Sequence, residues 1–511
     1  MSSDTTTTTQ PAFSKIRQAL FPIYTDELKK FLPIAFIMLC ILFNYTVLRN
    51  TKDALIGTAA GAGIEAIPYL KSIFVMSSAI AFVVLYTKLS NMFSAEKLFY
   101  LLTSSFLIFF GAFALVIYPN IASLHPDLDV VKGLQAEFPR IKFLFSVWGV
   151  WTYSLFYVMS ELWGSVMISL LFWQFANEVV RSNEAKRFYP IFVLIGNIAL
   201  ILSGEAVERL SAIRESLPAG VDAWGVSLNY LMTLVVIMGI AGMLVYRWLN
   251  KNVLTDPKYY DAAEPKKEKK KKPKMGVLES FKYIFSNPYI GLIALLVLSY
   301  GMSINLVELI WKKQIAIQFA GDANGYNAFM GSFSKWTGIG TIAIIFMTKG
   351  VVNRFGWFAG AIVTPLVLAV TGALFFTLIL YGDVLKPQIA ALAVSATYMA
   401  VIVGMIQNIA TKGSKYALFD PTKEMAYIPL DQELKTKGKA VVDVIGGRLG
   451  KAAGGWTILG LFTVFSATDA MDIAPYLGFF IGAVVVLWIA GVIALSRRYN
   501  ALVERRETLA N

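Results

Sequence analysis

"FLPIAFIMLCILFNYTVLRNTKDALIG", residues 31–57, decides the fold. An apolar run begins at Phe31. Near its far end it admits Arg49, Asn50, Lys52 and Asp53 within five residues, and hydrophobicity resumes at Ala54. Roughly 20 apolar residues suffice to cross about 30 Å of hydrocarbon. Charges placed in such a run are costly and demand a use.

The same kind of run recurs along the chain. The 511 residues are 57% hydrophobic and 15% charged, with a mean hydropathy of +0.61. Soluble globular domains carry about a quarter charged residues. The pattern predicts an all-α polytopic membrane protein, and it excludes a transmembrane β-barrel, whose short alternating strands leave no unbroken apolar runs. The net charge of +13 does not point to a nucleic-acid partner, because much of the excess lies in loops flanking apolar segments, as the positive-inside bias requires. One cysteine, Cys40, excludes a disulfide framework, and one histidine, His125, makes a histidine-based metal site untenable. No metal and no cofactor are expected. Residues 1–12 are polar and Thr-rich, without a signal-peptide pattern.

Twelve transmembrane helices are predicted, at 31–52, 66–88, 98–118, 145–175, 189–207 and 226–249, then at 288–311, 328–348, 357–381, 388–411, 440–466 and 474–496. The stretch 145–175 is read as one tilted helix, since Glu161 and Gly164 give no loop signal at its middle. Between the sixth and seventh spans lies "DPKYYDAAEPKKEKKKKPK" (256–274), with eight Lys and three Pro, which cannot form a core. It reads as a hydrated linker. The expected organisation is therefore a tail and pre-helix segment (1–30), a six-helix bundle (31–250), a basic linker (251–285), a second six-helix bundle (286–498) and a tail (499–511).

Lys and Arg set the orientation. Lys15, Arg17, Lys29 and Lys30 precede the first span, and "RSNEAKRF" (181–188), residues 415–439 and Arg497, Arg498, Arg505 and Arg506 fall on the same side. The opposite loops, "EAVERLSAIRESLPAGVDAW" (205–224) and "SATDAMD" (466–472), are acidic or mixed. Both termini are expected in the cytoplasm. The halves are weakly self-similar: "FNYTVLRNTKDA" (43–54) compares with "INLVELIWKKQI" (304–315), with Asn and Lys eight apart in each. Duplicated six-helix halves with a site at their interface are a usual plan for secondary transporters.

Four groups of charge lie within spans: Arg49, Lys52 and Asp53; Glu161; Glu308 followed by Lys312 and Lys313; and Asp443, Arg448 and Lys451 in "VVDVIGGRLGKAAGG" (441–455). Internal ion pairing is the competing reading for Asp53 and Asp443. Snorkelling to the interface competes for Lys52 and Lys451. Glu161 has no cation within a turn on its own helix, which favours a functional role. Cations outnumber anions, and Arg and Lys suit phosphates. Arg448 and Lys451 are three apart on one helix face. Gly446, Gly447, Gly450, Gly454 and Gly455 permit close approach of a ligand or another helix. "GGRLGKA" is not a phosphate-binding P-loop: Gly446 stands one residue too close to Gly450, and Ala452 replaces the required hydroxyl. With no nucleotide-hydrolysing domain, transport is driven by gradients or exchange. Tyr157, Trp163, Trp173 and Trp311 are candidates for stacking a nucleobase, with packing as the favoured reading of each.

"LFNYTVLRNTKDALIGTA", "SELWGSVMISLLFWQFANE", "INLVELIWKKQ", "GYNAFMGSFSKWTG" and above all "KYALFDPTKEMAYIPLDQELKTKGKAVVDV" (415–444) resemble the ATP/ADP antiporters of obligate intracellular bacteria and plastids, the nucleotide transporter family distinct from the mitochondrial carriers. The resemblance runs from about Lys15 to the twelfth span. It implies a major-facilitator-like fold, exchange of external ATP for internal ADP, and critical charges at Lys52, Glu161, Glu308 and Lys451. It places the protein in a bacterial inner membrane. The chain departs from relatives at Asn50, where many have Asp, and at Ala452, where a Ser often follows the Lys.

The expected mechanism is alternating access. Arg49, Lys52, Arg448 and Lys451 hold the phosphates, Lys312 or Lys313 adds a contact, and Glu161 and Glu308 pair with the lysines in the empty carrier. ATP and ADP are the expected partners, with phosphate or other nucleotides as further candidates; a monomer in the bilayer is expected. The alternative is a proton-coupled or broader-specificity transporter of NTP or NAD, with Glu161 or Glu308 carrying the proton. A sugar-phosphate or peptide symporter fits segment 415–444 less well. A membrane-embedded enzyme would need a nucleophile or metal set that one His and one Cys do not provide.

Overall fold

The computed structural model describes residues 21–260, 286–391 and 393–510; most of the basic linker and the first tail lie outside them. Every regular element among the described residues is helical. The first half comprises α1 (Leu28–Gly57), α2 (Ala66–Met92), α3 (Ala95–Leu124), two short helices α4 (Leu128–Glu137) and α5 (Lys142–Gly149), then α6 (Trp151–Val179), α7 (Ser182–Ala212) and α8 (Ala223–Asn252). The second comprises α9 (Pro288–Gln318), α10 (Ala323–Met347), α11 (Val351–Ala390), α12 (Ala396–Ser414), the short α13 (Asp420–Met425), α14 (Gln432–Phe465) and α15 (Ala474–Ala510).

Polar loop residues start these helices where their chemistry requires. The carboxylates of Asp222, Asp322 and Asp431 accept from the backbone N–H of Gly225 (3.0 Å), Gly325 (3.0 Å) and Leu434 (2.8 Å), meeting amide donors that have no partner within the helix. Aromatic contacts fill the first half: Phe31 stacks on Phe192, and Phe110 packs against Phe156 and Trp163.

Nine helices among the described residues are long and apolar enough to cross a membrane. The eighth, tenth and eleventh expected spans are helices too (α10, α12 and α14); α10 and α12 carry too much polarity to meet that standard, and in α14 the apolar stretch Ala452–Phe465 is shorter than a span. The reason is visible in their contacts: Asn327, Ser334, Lys335 and Lys412 turn toward other helices.

Three boundaries differ from expectation. The stretch 145–175 is not one helix. The chain leaves helical geometry at Val150 (φ −119°, ψ 45°), so α5 ends at Gly149 and packs beside Ala66–Tyr69, and the spanning helix starts at Trp151. A single rod through both pieces would exceed the hydrocarbon thickness at 1.5 Å per residue. α11 breaks at Gly356 (φ 80°, ψ 176°) and at Tyr381 (φ −117°, ψ 16°), which bound the expected span 357–381; a further helical piece runs on to Ala390, and the next helix begins at Ala396 rather than 388. α14 begins at Gln432, eight residues before the expected 440, because Asp431 caps it there.

The two halves meet most closely where α7 crosses α10. A Cβ added at Gly204 would lie 2.5 Å from the backbone N of Lys335 and 2.6 Å from the Gly331 oxygen, and one at Gly331 would lie 2.6 Å from the Glu208 nitrogen. Backbone touches backbone there. Gly438, Gly450 and Gly454 of α14 face α9, and Gly455 faces Ser72 of the other half, so these glycines serve helix approach.

Candidate functional site

Lys52 and Asp53 sit in the last turns of α1, with 2% and 0% of their side chains exposed. The Lys52 ammonium donates to Asp53 Oδ1 at 2.9 Å, lies 3.0 Å from Glu161 Oε1 of α6, and stands 3.7 Å over the ring of Tyr157. From the other half, Lys312 of α9 lies 2.9 Å from Asp53 Oδ2 and 3.8 Å from Glu308 Oε2. Glu308 also accepts from Lys412 of α12 at 2.7 Å and lies 3.6 Å from Arg49 Nη2. Four helices thus bring together charges spread from residue 49 to residue 412. The cluster opens on one side: the side chains of Arg49 and Glu161 keep 29% and 26% of their surface.

Lys71 completes this set. It enters from a π-helical turn, Leu70–Val75, that packs against α6 and α14. It interacts electrostatically with Lys52, Lys312, Glu161 and Glu308. The central set therefore holds five cations (Arg49, Lys52, Lys71, Lys312, Lys412) and three carboxylates (Asp53, Glu161, Glu308). Buried carboxylates are held by cations, as low dielectric requires.

Lys313 does not join it. One residue along α9, Lys313 turns to the end of the molecule opposite the termini, 2.7 Å from Glu65 Oε1 and 2.5 Å from Asp469 Oδ2. Glu65 also accepts from the Ala470 backbone N–H (3.1 Å), and Lys142 donates to the Thr468 oxygen (2.7 Å). The 466–472 loop is braced from within: the backbone N–H of Thr468 and of Asp469 donate to Asp472, holding its carboxyl below the usual range. Lys335 bridging Glu205 (2.9 Å) and Glu208 (2.6 Å), and Arg214 beside Asp322 (2.5 Å), add further cross-half ion pairs. These cross-half polar contacts lie between the level of Arg49–Glu308 and this end.

The side chains of Asp443, Arg448 and Lys451 lie outside the described residues; their helix, α14, passes beside Ala66–Tyr69 and Leu70–Val75. Asn50 donates to the Met330 oxygen (3.2 Å) and to Ser334 (3.0 Å), a role that an aspartate could not fill. Three candidate stacking aromatics are packing residues. Trp163 and Trp311 are 1% and 0% exposed and donate to backbone oxygens, and Tyr157 is fully buried under Lys52.

Sequence reading passed over Lys71, Lys412, Glu65 and Asp469. Lys412 lay one residue beyond an expected span end, and the signal for Lys71 was an unexplained charge five residues into an apolar run. Glu65 and Asp469 look like ordinary loop acids until the fold brings them together.

Comparison with known proteins agrees with this architecture. The family model described as TLC ATP/ADP transporter matches residues 6–499. The chain is 47% identical to ADP,ATP carrier protein 1 of Chlamydia muridarum, over 98% of this chain and 94% of that one. It is 45% identical to the chloroplastic ADP,ATP carrier protein 1 of Arabidopsis thaliana (96% and 77%) and 40% identical to ADP,ATP carrier protein 1 of Rickettsia bellii (98% and 99%). Among solved structures, a bacterial homologue of the iron transporter ferroportin aligns with a TM-score of 0.55 at 12% identity, covering 93% of this chain and 100% of that one. The nucleoside transporter NupG aligns at 0.50 and 12%, covering 93% and 99%. These likenesses concern the fold, which is major-facilitator-like. On sequence, the chain belongs to the TLC ATP/ADP transporter family, a family of transporters and not of enzymes.

Proposed function

We propose that this protein is a nucleotide antiporter that imports ATP in exchange for ADP by alternating access. The observation that carries the reading is the central set itself: cations from both halves converge on fewer carboxylates than they need, in a chain whose relatives are named ADP,ATP carriers. In the empty carrier, Glu161 and Glu308 neutralise Lys52, Lys312, Lys412 and Arg49. Nucleotide phosphates displace those carboxylates, joined by Arg448 and Lys451 from α14. Switching without substrate would drag poorly compensated charges through a closed, low-dielectric state, which costs several kcal/mol per ion. That cost couples movement in each direction to a bound nucleotide.

The lysine and arginine distribution supports a bacterial cell membrane with both termini in the cytoplasm. The end held by Glu65, Lys313 and Asp469 is then the external gate, closed in this conformation, and Lys313 is a gate residue rather than a phosphate contact. Lys313→Glu would set three carboxylates together there and open it. In a Cys40→Ala background, a cysteine reporter at Ala470, which is 0% exposed, should react with an impermeant maleimide at least tenfold faster when Lys313→Glu is added. An unchanged rate would remove Lys313 from the gate.

The direct test of function is uptake of labelled ATP into proteoliposomes. Uptake is expected only with ADP inside. Equal uptake into empty vesicles would overturn obligatory exchange in favour of proton coupling, which would need Glu161 or Glu308 to be released from its lysines.

A further inference from the structure

We propose that Lys71 is the docking contact for the nucleotide's phosphates, the positive charge that an arriving anion meets first; this rests on the reading that the central set binds nucleotide. Each other cation of the set spends its charge on a carboxylate. Lys52 has Asp53 and Glu161, Lys312 has Asp53 and Glu308, and Lys412 and Arg49 have Glu308. Lys71 alone among these five has no carboxylate within 4.0 Å and no hydrogen bond.

Its surroundings make that unusual. Lys71 is half-buried, on a turn wedged between the helix of Glu161 and the helix that carries Arg448 and Lys451. The next residue, Ser72, is only 6% exposed, and its Oγ would lie 2.3 Å from a Cβ on Gly455 of α14. Lys52 and Lys312 repel it, while Glu308 and Glu161 attract it only from beyond ion-pair distance. A structural lysine at this depth would be expected to have a partner. The turn itself is π-helical, a geometry that is rare and concentrates at functional sites.

The chemistry distinguishes Lys71 from its neighbours. A phosphate that binds Lys52 or Lys312 must first displace a carboxylate. A phosphate that binds Lys71 displaces only water and relieves the repulsion from the other two ammonium groups. Docking at Lys71 therefore precedes competition for the paired cations, and it places the phosphates between Glu161 and α14.

The test is Lys71→Gln, with Lys71→Arg beside it, in proteoliposome exchange and in thermal melting of the purified protein with and without ATP. The half-saturating ATP concentration should rise at least tenfold in Lys71→Gln and stay near native in Lys71→Arg. The melting temperature of nucleotide-free Lys71→Gln should be unchanged or higher, because no ion pair is lost. The further rise that ATP gives the native protein should shrink. Native half-saturation in Lys71→Gln would overturn the proposal. A lowered nucleotide-free melting temperature would overturn it as well, by making Lys71 structural. If the native protein itself neither exchanges ATP nor is stabilised by it, the exchange reading fails and the docking role falls with it.

Discussion

Lys52→Ala is expected to abolish ATP/ADP exchange, at least a hundredfold below native, while the protein still inserts. Lys52 is the only described residue whose ammonium lies within 4.0 Å of both Asp53 and Glu161, and it is 2% exposed. Removing it leaves Asp53 with Lys312 alone and Glu161 with no cation within that distance. Breaking a buried pair by removing one partner typically costs about 3–5 kcal/mol. Loss of stability and loss of phosphate binding must therefore be separated. The double replacement Lys52→Gln with Glu161→Gln removes the unpaired charge and should regain most of the melting temperature without regaining exchange. If the double variant regains exchange as well, Lys52 is a structural ion-pair partner and not a phosphate ligand.

The second large effect concerns backbone contact rather than charge. In an exposed helix interior, Gly to Ala is worth about 0.5–1 kcal/mol of stabilisation. At Gly331 the sign should reverse, because the new Cβ would meet the Glu208 nitrogen at 2.6 Å and the Gly204 oxygen at 2.8 Å, atoms that cannot swing aside. These contacts join α7 to α10 across the two halves, so the substitution keeps the halves apart at the gated end. Gly331→Val should reduce exchange at least a hundredfold and leave the Ala470 cysteine reporter permanently reactive. Gly372→Val is the control: nothing lies within 4 Å of a Cβ at that position, and exchange should be retained. Native exchange in Gly331→Val would mean that the α7–α10 contact is not part of the transport cycle.

Both predictions lean on distances that no reading of the chain in order could supply. The membrane class, the approximate positions of the helices and the suspicion attached to Arg49, Lys52, Glu161 and Glu308 were legible in residues 31–57 and their counterparts. The cause is local: an apolar run of membrane length has one stable form in lipid, the helix, and a charge within it is costly wherever the helix packs. Lys451 was singled out in the same way, and motif resemblance added the family and the weight on Glu308.

Partnership was not legible, because it depends on which helix faces which. Lys312 and Lys313 are adjacent and chemically identical in the chain, yet successive residues on a helix point about 100° apart. One meets Asp53 and Glu308 in the central set and the other meets Glu65 and Asp469 at the end opposite the termini. Asn44 and Asn305 match in the sequence repeat but bond differently, one to the Val235 oxygen of α8 and the other back to Gly301 of its own helix. Val150 and Asp431 reset helix ends that hydropathy placed several residues away, since hydropathy averages over a window whereas a helix ends where φ and ψ leave the helical well or a side chain caps it. The sequence by itself determined that this chain crosses a membrane as helices and keeps charges within them. Only the tertiary structure decided which charges neutralise one another, which lysine is left without a carboxylate within 4.0 Å, and which loop carboxylates hold Lys313, because each of those is a contact between residues tens to hundreds of positions apart.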